Sequence, residues 1–154
     1  MDRICVLYSF FSNQMITFKF FKTKRGVSAF AAITLELQAG SSEVVEWVPS
    51  VILFEAIYGE AVTSGIRDAL AWHSLEGGTP TAFKVFEFTE LLVDTKPDAV
   101  RCAATMAAWK ALGHEESGIS FEFDEEWIAR RNTQQPPFGI SPEVPRNGTG
   151  KSGI

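Results

Sequence analysis

The sequence predicts an α+β fold, a two-layer sandwich in which about four strands are covered by two helices, and three observations predict it. Phe54, Tyr58, Val62, Ile66, Ala69 and His73 recur at three- and four-residue steps, with Ile57, Ala61, Gly65 and Leu70 on the same stripe, as in a helix lying on a sheet. A second helix follows the Thr95-Lys96-Pro97-Asp98 start, and its inward positions Val100, Ala103, Ala104, Ala107 and Ala111 are mostly small. Apolar, β-prone runs precede the first helix and separate it from the second.

Taken in order, Ile16–Phe21 alternates as an edge strand, and Lys22–Gly26 reads as an exposed turn. Ala29–Leu37 is a strand with Ala31, Ile33, Leu35 and Leu37 on one face, closed by Ala39-Gly40-Ser41-Ser42, and Val44–Val48 is a third, short strand. The first helix runs from Phe54 to the Gly77-Gly78-Thr79-Pro80 turn, because Gly77 and Gly78 permit the closing conformations and Pro80 cannot continue a helix. Thr81–Val93 is a strand whose alternation slips between Val85 and Phe86, which predicts a bulge or double-sided burial there. Thr95 is expected to cap the second helix in a reciprocal pair with Asp98, and Gly113 to end it. Gly65 is expected to meet the sheet or the second helix at close range. Ile119–Phe123 reads as a further edge strand and Asp124–Arg131 as a helical turn or two capped by Asp124.

The 154 residues suit one domain with a single core, assigned to 15–131, with residues 1–14 a leader ahead of an alternative start at Met15 and 132–154 a Gly/Pro-rich flexible tail. Ile4–Phe11 is short for a signal sequence and lacks a cleavage site, no stretch is long enough to span a membrane, and a cytoplasmic setting is the expectation. Cys5 and Cys102 alone make neither a zinc spacing nor a disulfide framework. Net charge −5 argues against broad capture of nucleic acid, but the charge is polarised: bases gather before Leu35, and six carboxylates lie between His114 and Trp127. A mutual attraction of the two ends follows as an expectation.

Ala61-Val62-Thr63-Ser64-Gly65-Ile66-Arg67-Asp68-Ala69-Leu70, Gly78-Thr79-Pro80, Val93-Asp94-Thr95 and Ala99-Val100-Arg101-Cys102-Ala103-Ala104-Thr105-Met106-Ala107 together resemble domain IV of bacterial elongation factor G. The resemblance covers about a third of the chain strongly. It implies the ribosomal protein S5 domain 2-like fold with a left-handed strand-helix-strand crossover, and a non-enzymatic arm whose loops reach the ribosomal decoding site. This chain departs from the family at both tip loops. Arg25-Gly26-Val27-Ser28-Ala29 keeps Arg-Gly of the R-G-Q-Y-G segment but has Ser28 for the tyrosine and Ala29 for the second glycine, and the histidine-bearing loop before Val93-Asp94 is absent.

The expected function is therefore a stand-alone, non-enzymatic, translation-factor-like module that docks on ribosomal RNA or ribosomal proteins. Its candidate RNA-binding residues are Lys19, Lys22, Lys24 and Arg25, with Lys96 and Arg101 as neighbours. The alternative is a protein-interaction domain using a sheet edge or the acidic segment from Glu115 to Glu126. No cofactor is expected. His73 and His114 read as helix-end residues, the acidic residues as a solvated face, and Trp47, Trp72, Trp109 and Trp127 as core edges. Gly148-Thr149-Gly150-Lys151-Ser152 looks like a phosphate loop, but Pro145 stands at its first glycine and no strand precedes it, so nucleotide binding is not expected.

Overall fold

The computed structural model describes residues 15–132 apart from 39 and 41; the expected leader, the tail from 133 onward and the Gly148–Ser152 motif lie outside the described residues. In chain order the elements are β1 (Met15–Lys24), β2 (Val27–Gln38), β3 (Val45–Trp47), a 3-10 segment (Pro49–Phe54), α1 (Glu55–Leu75), β4 (Ala82–Thr89) and α2 (Pro97–Ala111). A short turn, Glu116–Gly118, leads into β5 (Ile119–Asp124) and β6 (Glu126–Arg131).

The first four strands form one mixed sheet in the order β1-β2-β4-β3, with β1–β2 and β2–β4 antiparallel and β3–β4 parallel. A parallel pair needs a crossover, and α1 supplies it. Alternation decides which face of the sheet is covered: Ala29, Ala31, Ile33 and Leu35 of β2 and Phe83, Val85 and Phe88 of β4 are buried under the helices. Thr17, Thr34 and Glu87 lie on the other face and hydrogen-bond across it at 2.7 and 3.4 Å. The slip near Val85 is a bulge: Leu35 pairs with Val85 and Thr34 with Glu87, leaving Phe86 as the extra residue. This is the two-layer α+β sandwich expected from the sequence.

α2 is the central element. From Cys102 to Trp109 every residue is buried, because the sheet covers one side, α1 a second, and the β5–β6 hairpin a third. Small side chains permit this. At Gly65 of α1 an added Cβ would stand 2.4 Å from the carbonyl oxygen of Arg101 and 3.0 Å from Ala104 Cβ, so the helices touch backbone to backbone. The hairpin is a separate two-stranded sheet that lays Phe121 and Trp127 against Phe20, with ring centroids 4.9 and 5.6 Å away.

Several sequence expectations need correction. Asp124–Arg131 is not helical: Glu125, at φ 71°, closes a tight turn, and β6 places Trp127 and Ala129 against the core while Glu126 and Arg130 point outward. β5 pairs with β6 rather than with the edge of the main sheet. The strand predicted to reach Val93 stops at Thr89, and Leu91, Leu92 and Val93 stand exposed in a turn. Thr95 does not cap α2. Lys96 occupies the cap position without a side-chain bond, because Thr95 Oγ1 is already engaged by Leu91 N–H and the Phe30 carbonyl, and Asp98 accepts from Ala99 N–H and Trp127 N–H. Ile57, placed on the inward stripe, is exposed, whereas Tyr58, Val62, Gly65, Ile66, Ala69 and Leu70 are buried.

Candidate docking surface at the hairpin end

β4 ends, α1 and α2 begin, and β1 turns into β2 at one end of the sheet, because β4 runs antiparallel to β2 and each helix reverses direction after its strand. The β1–β2 turn is a two-residue connection with Arg25 at φ 55° and Gly26 at φ 78°, the left-handed pair that matches the twist of a hairpin. The pairing runs all the way to Lys24 and Val27, so the turn projects on a rigid stem rather than on the longer loop expected from Lys22 to Gly26.

The loop before α2 is stitched to that stem. Phe30 N–H donates to the Asp94 carbonyl at 3.0 Å, Thr95 Oγ1 donates to the Phe30 carbonyl at 2.6 Å, and Leu91 N–H donates to Thr95 Oγ1 at 2.8 Å. α1 joins through Tyr58, whose hydroxyl donates to Glu90 at 2.7 Å; burial, and then this bond, push the Tyr58 pKa up to about 12. The result is one fixed end that presents Leu92 at 90% exposure, Val93 at 80% and, from the segment entering α1, Leu53 at 84%.

The six candidate RNA-binding residues divide. Lys24, Arg25 and Lys96 come together around a hollow of about 310 Å³ at this end, beside Asp94, Asp98 and Glu125. Three cations thus share this end with three carboxylates, and Glu125 of the acidic segment lies beside the basic turn. The other three lie elsewhere. Lys22 sets its ammonium over the Phe121 ring at 5.8 Å. Lys19 alternates with Phe18 and Phe20 and is exposed on the face away from the helices. Arg101 forms a two-point ion pair with Asp68 of α1, at 2.9 and 3.1 Å, which raises its pKa further.

At the opposite end the structure joins residues that spacing kept apart. α1 and α2 run parallel, so their last turns meet: Trp72 packs edge-on against Trp109, and His73 Nδ1 lies 2.8 Å from His114 Nε2. His114 stacks on Trp109 at 3.8 Å, and Arg131, paired with Glu76, lies over the same indole. Burial, and then the neighbouring His73, lower the His114 pKa. The signal was present, in that each histidine sits at a helix end and Gly65 fixes where the helices touch, but it needed the relative direction of the helices. Among the described residues no group of three or more His, Cys, Asp or Glu side chains is placed to hold a metal. Cys102 is buried, and its thiol is pushed up to about 12, chiefly by desolvation.

Fold and surface together define a small two-layer α+β domain with a projecting end that carries both charges and exposed apolar side chains. No family model matches the sequence, and a comparison with curated proteins finds no match. Among solved structures, the crystal structure of ttk003000868 from Thermus thermophilus is similar, with a TM-score of 0.53 and 27% identity over 62% of this chain. The match takes up 15% of the Thermus protein, so this chain spans about a seventh of a polypeptide several times longer.

Proposed function

We propose that this chain is a non-enzymatic docking module of the translation-factor type, whose projecting end contacts RNA on the ribosome. One observation carries the reading: two segments far apart in sequence, the Arg25-Gly26 turn and the Leu91–Lys96 loop, are tied into a single rigid end that gathers Lys24, Arg25 and Lys96. The Arg25-Gly26 turn is where the resemblance to domain IV of elongation factor G places the first tip loop, and the Leu91–Lys96 loop stands where that family carries its second, histidine-bearing loop, which this chain lacks. Lys22 and Arg101 contribute less to such a contact, since each is already engaged within the domain.

The test is the salt dependence of binding to a structured RNA, read by fluorescence anisotropy. Replacing Lys24, Arg25 and Lys96 together with Ala removes up to three phosphate contacts and flattens the slope of log K against log salt by about two to three units. Replacing Lys19 and Arg101 leaves the slope nearly unchanged. Wild-type affinity no tighter than about 10⁻⁴ M at low salt refutes the RNA reading.

The exposure of Leu53, Leu92 and Val93 at the same end favours a second reading, a protein-interaction module that buries them against an apolar partner. In that case Leu92→Asp abolishes retention of the partner while the triple Ala variant retains it.

A further inference from the structure

Among the described residues β6 pairs with β5 on one side only. Trp127 N–H points away from β5, since it donates to Asp98 Oδ2 at 2.8 Å. In an antiparallel ladder, outward-pointing residues recur every second position, so the Ala129 amide and carbonyl also face away from their cross-strand neighbour Phe121. They face a groove of about 660 Å³ whose opposite wall is α1 and whose floor is the start of α2. Its bed is small-sided, with Ala61, Ser64, Cys102 and Ala129, and Trp72 closes one end. Its charge is one-sided. Asp68 is paired with Arg101 and the Asp98 carboxylate is held by two N–H donors, which leaves the exposed Glu60 and Glu126 on opposite walls, neither with an ion-pair partner among the described residues.

We infer that this groove binds an extended peptide bearing Lys or Arg at alternate positions, which adds as a third strand to the free edge of β6. Main-chain bonds to Ala129 supply the register, the small bed receives apolar side chains of one parity, and Glu60 and Glu126 receive basic side chains of the other. The surface shares Asp98 and Trp127 with the hollow at the hairpin end but does not depend on RNA binding there.

The experiment is a titration of the isotopically labelled full chain with a blocked hexapeptide of alternating Val and Lys, followed by amide chemical shifts, with the Val/Glu counterpart as control. Saturable shifts centred on Ile128, Ala129 and the Glu60–Ser64 turn are expected for the basic peptide alone. Glu60→Lys with Glu126→Lys is expected to weaken binding about tenfold, and Ala129→Pro, which removes the edge donor, by a similar factor. The charge-reversal pair sits on exposed positions and keeps the test valid where the proline variant unfolds. Equal binding of the acidic peptide, or shifts confined to the hairpin end or the open sheet face, overturns the inference. Cross-peaks from Ala129 to residues beyond 132, or peptide-free shifts that grow with protein concentration, overturn it as well, because the groove is then filled by the chain itself or by a second copy.

Discussion

Gly65→Ala isolates the closest approach in the core. The new Cβ would stand 2.4 Å from the Arg101 carbonyl oxygen and 3.0 Å from both Ala104 Cβ and Thr105 Oγ1, where ordinary contacts fall near 3.5–4.0 Å. The helices must part by about 1 Å, and the obstructing atom is backbone, held in place because it also accepts the Thr105 hydroxyl at 2.8 Å. Overpacking of this kind costs about 1–3 kcal/mol, against a gain of about 0.5–1 kcal/mol from replacing a mid-helix glycine by alanine. A net loss of about 1–2 kcal/mol follows, or about 2–8 °C in the thermal midpoint for a chain of this size. Gly59 on the same helix is the internal control: its added Cβ meets only the flexible Glu55 side chain, at 3.1 Å, so Gly59→Ala gains about 0.5–1 kcal/mol. Urea and thermal unfolding followed by tryptophan fluorescence measure both. A Gly65→Ala variant as stable as Gly59→Ala refutes the backbone contact between the helices.

Two further predictions concern stability. Thr95→Ala removes the buried hydroxyl that joins Leu91 to Phe30, and should cost about 1–3 kcal/mol with faster exchange at the Leu91 amide; Thr95→Ser should restore most of it. For His114, whose folded pKa lies below its unfolded value of about 6.5, the unfolded chain takes up the proton first as pH falls. Its stabilising contribution is thus full above about pH 6.5 and declines below that, with a slope of at most about 1.4 kcal/mol per pH unit, until the folded pKa is passed. Denaturant midpoints measured across that range should fall for the wild type and flatten for His114→Gln, which removes the titrating group.

The legible part of this sequence was the part governed by local period and sterics. The stripe from Tyr58 to Leu70, the small face of α2, the inward run of β2 and the slip at Val85 all reported packing that each segment makes with one neighbour. What stayed hidden depended on a third body. Thr95 and Asp98 carried the chemistry of a cap, but Phe30 and Trp127 claimed their oxygens first. Glu126–Arg131 alternates plainly only once Phe20 is known to lie beneath Trp127. The candidate surface was half legible: a cluster of bases in the sequence said nothing of which would be spent internally, as Arg101 is on Asp68, or of which would be joined by Lys96 from far along the chain.

The β5–β6 hairpin adheres to the body through aromatic side chains, the Asp98–Trp127 bond and the Arg131–Glu76 ion pair, while among the described residues no ladder links it to the main sheet. Its opening is therefore uncoupled from the unzipping of the four-stranded sheet, and it forms a unit of local unfolding with a free energy below the global value. Lifting it would wet one flank of α2 and leave the β1–β2–β4–β3 network closed. In such a protein, slow exchange in β2 and β4 would coexist with a transiently accessible Trp109, and a cut in the hairpin would loosen one wall without dissolving the rest.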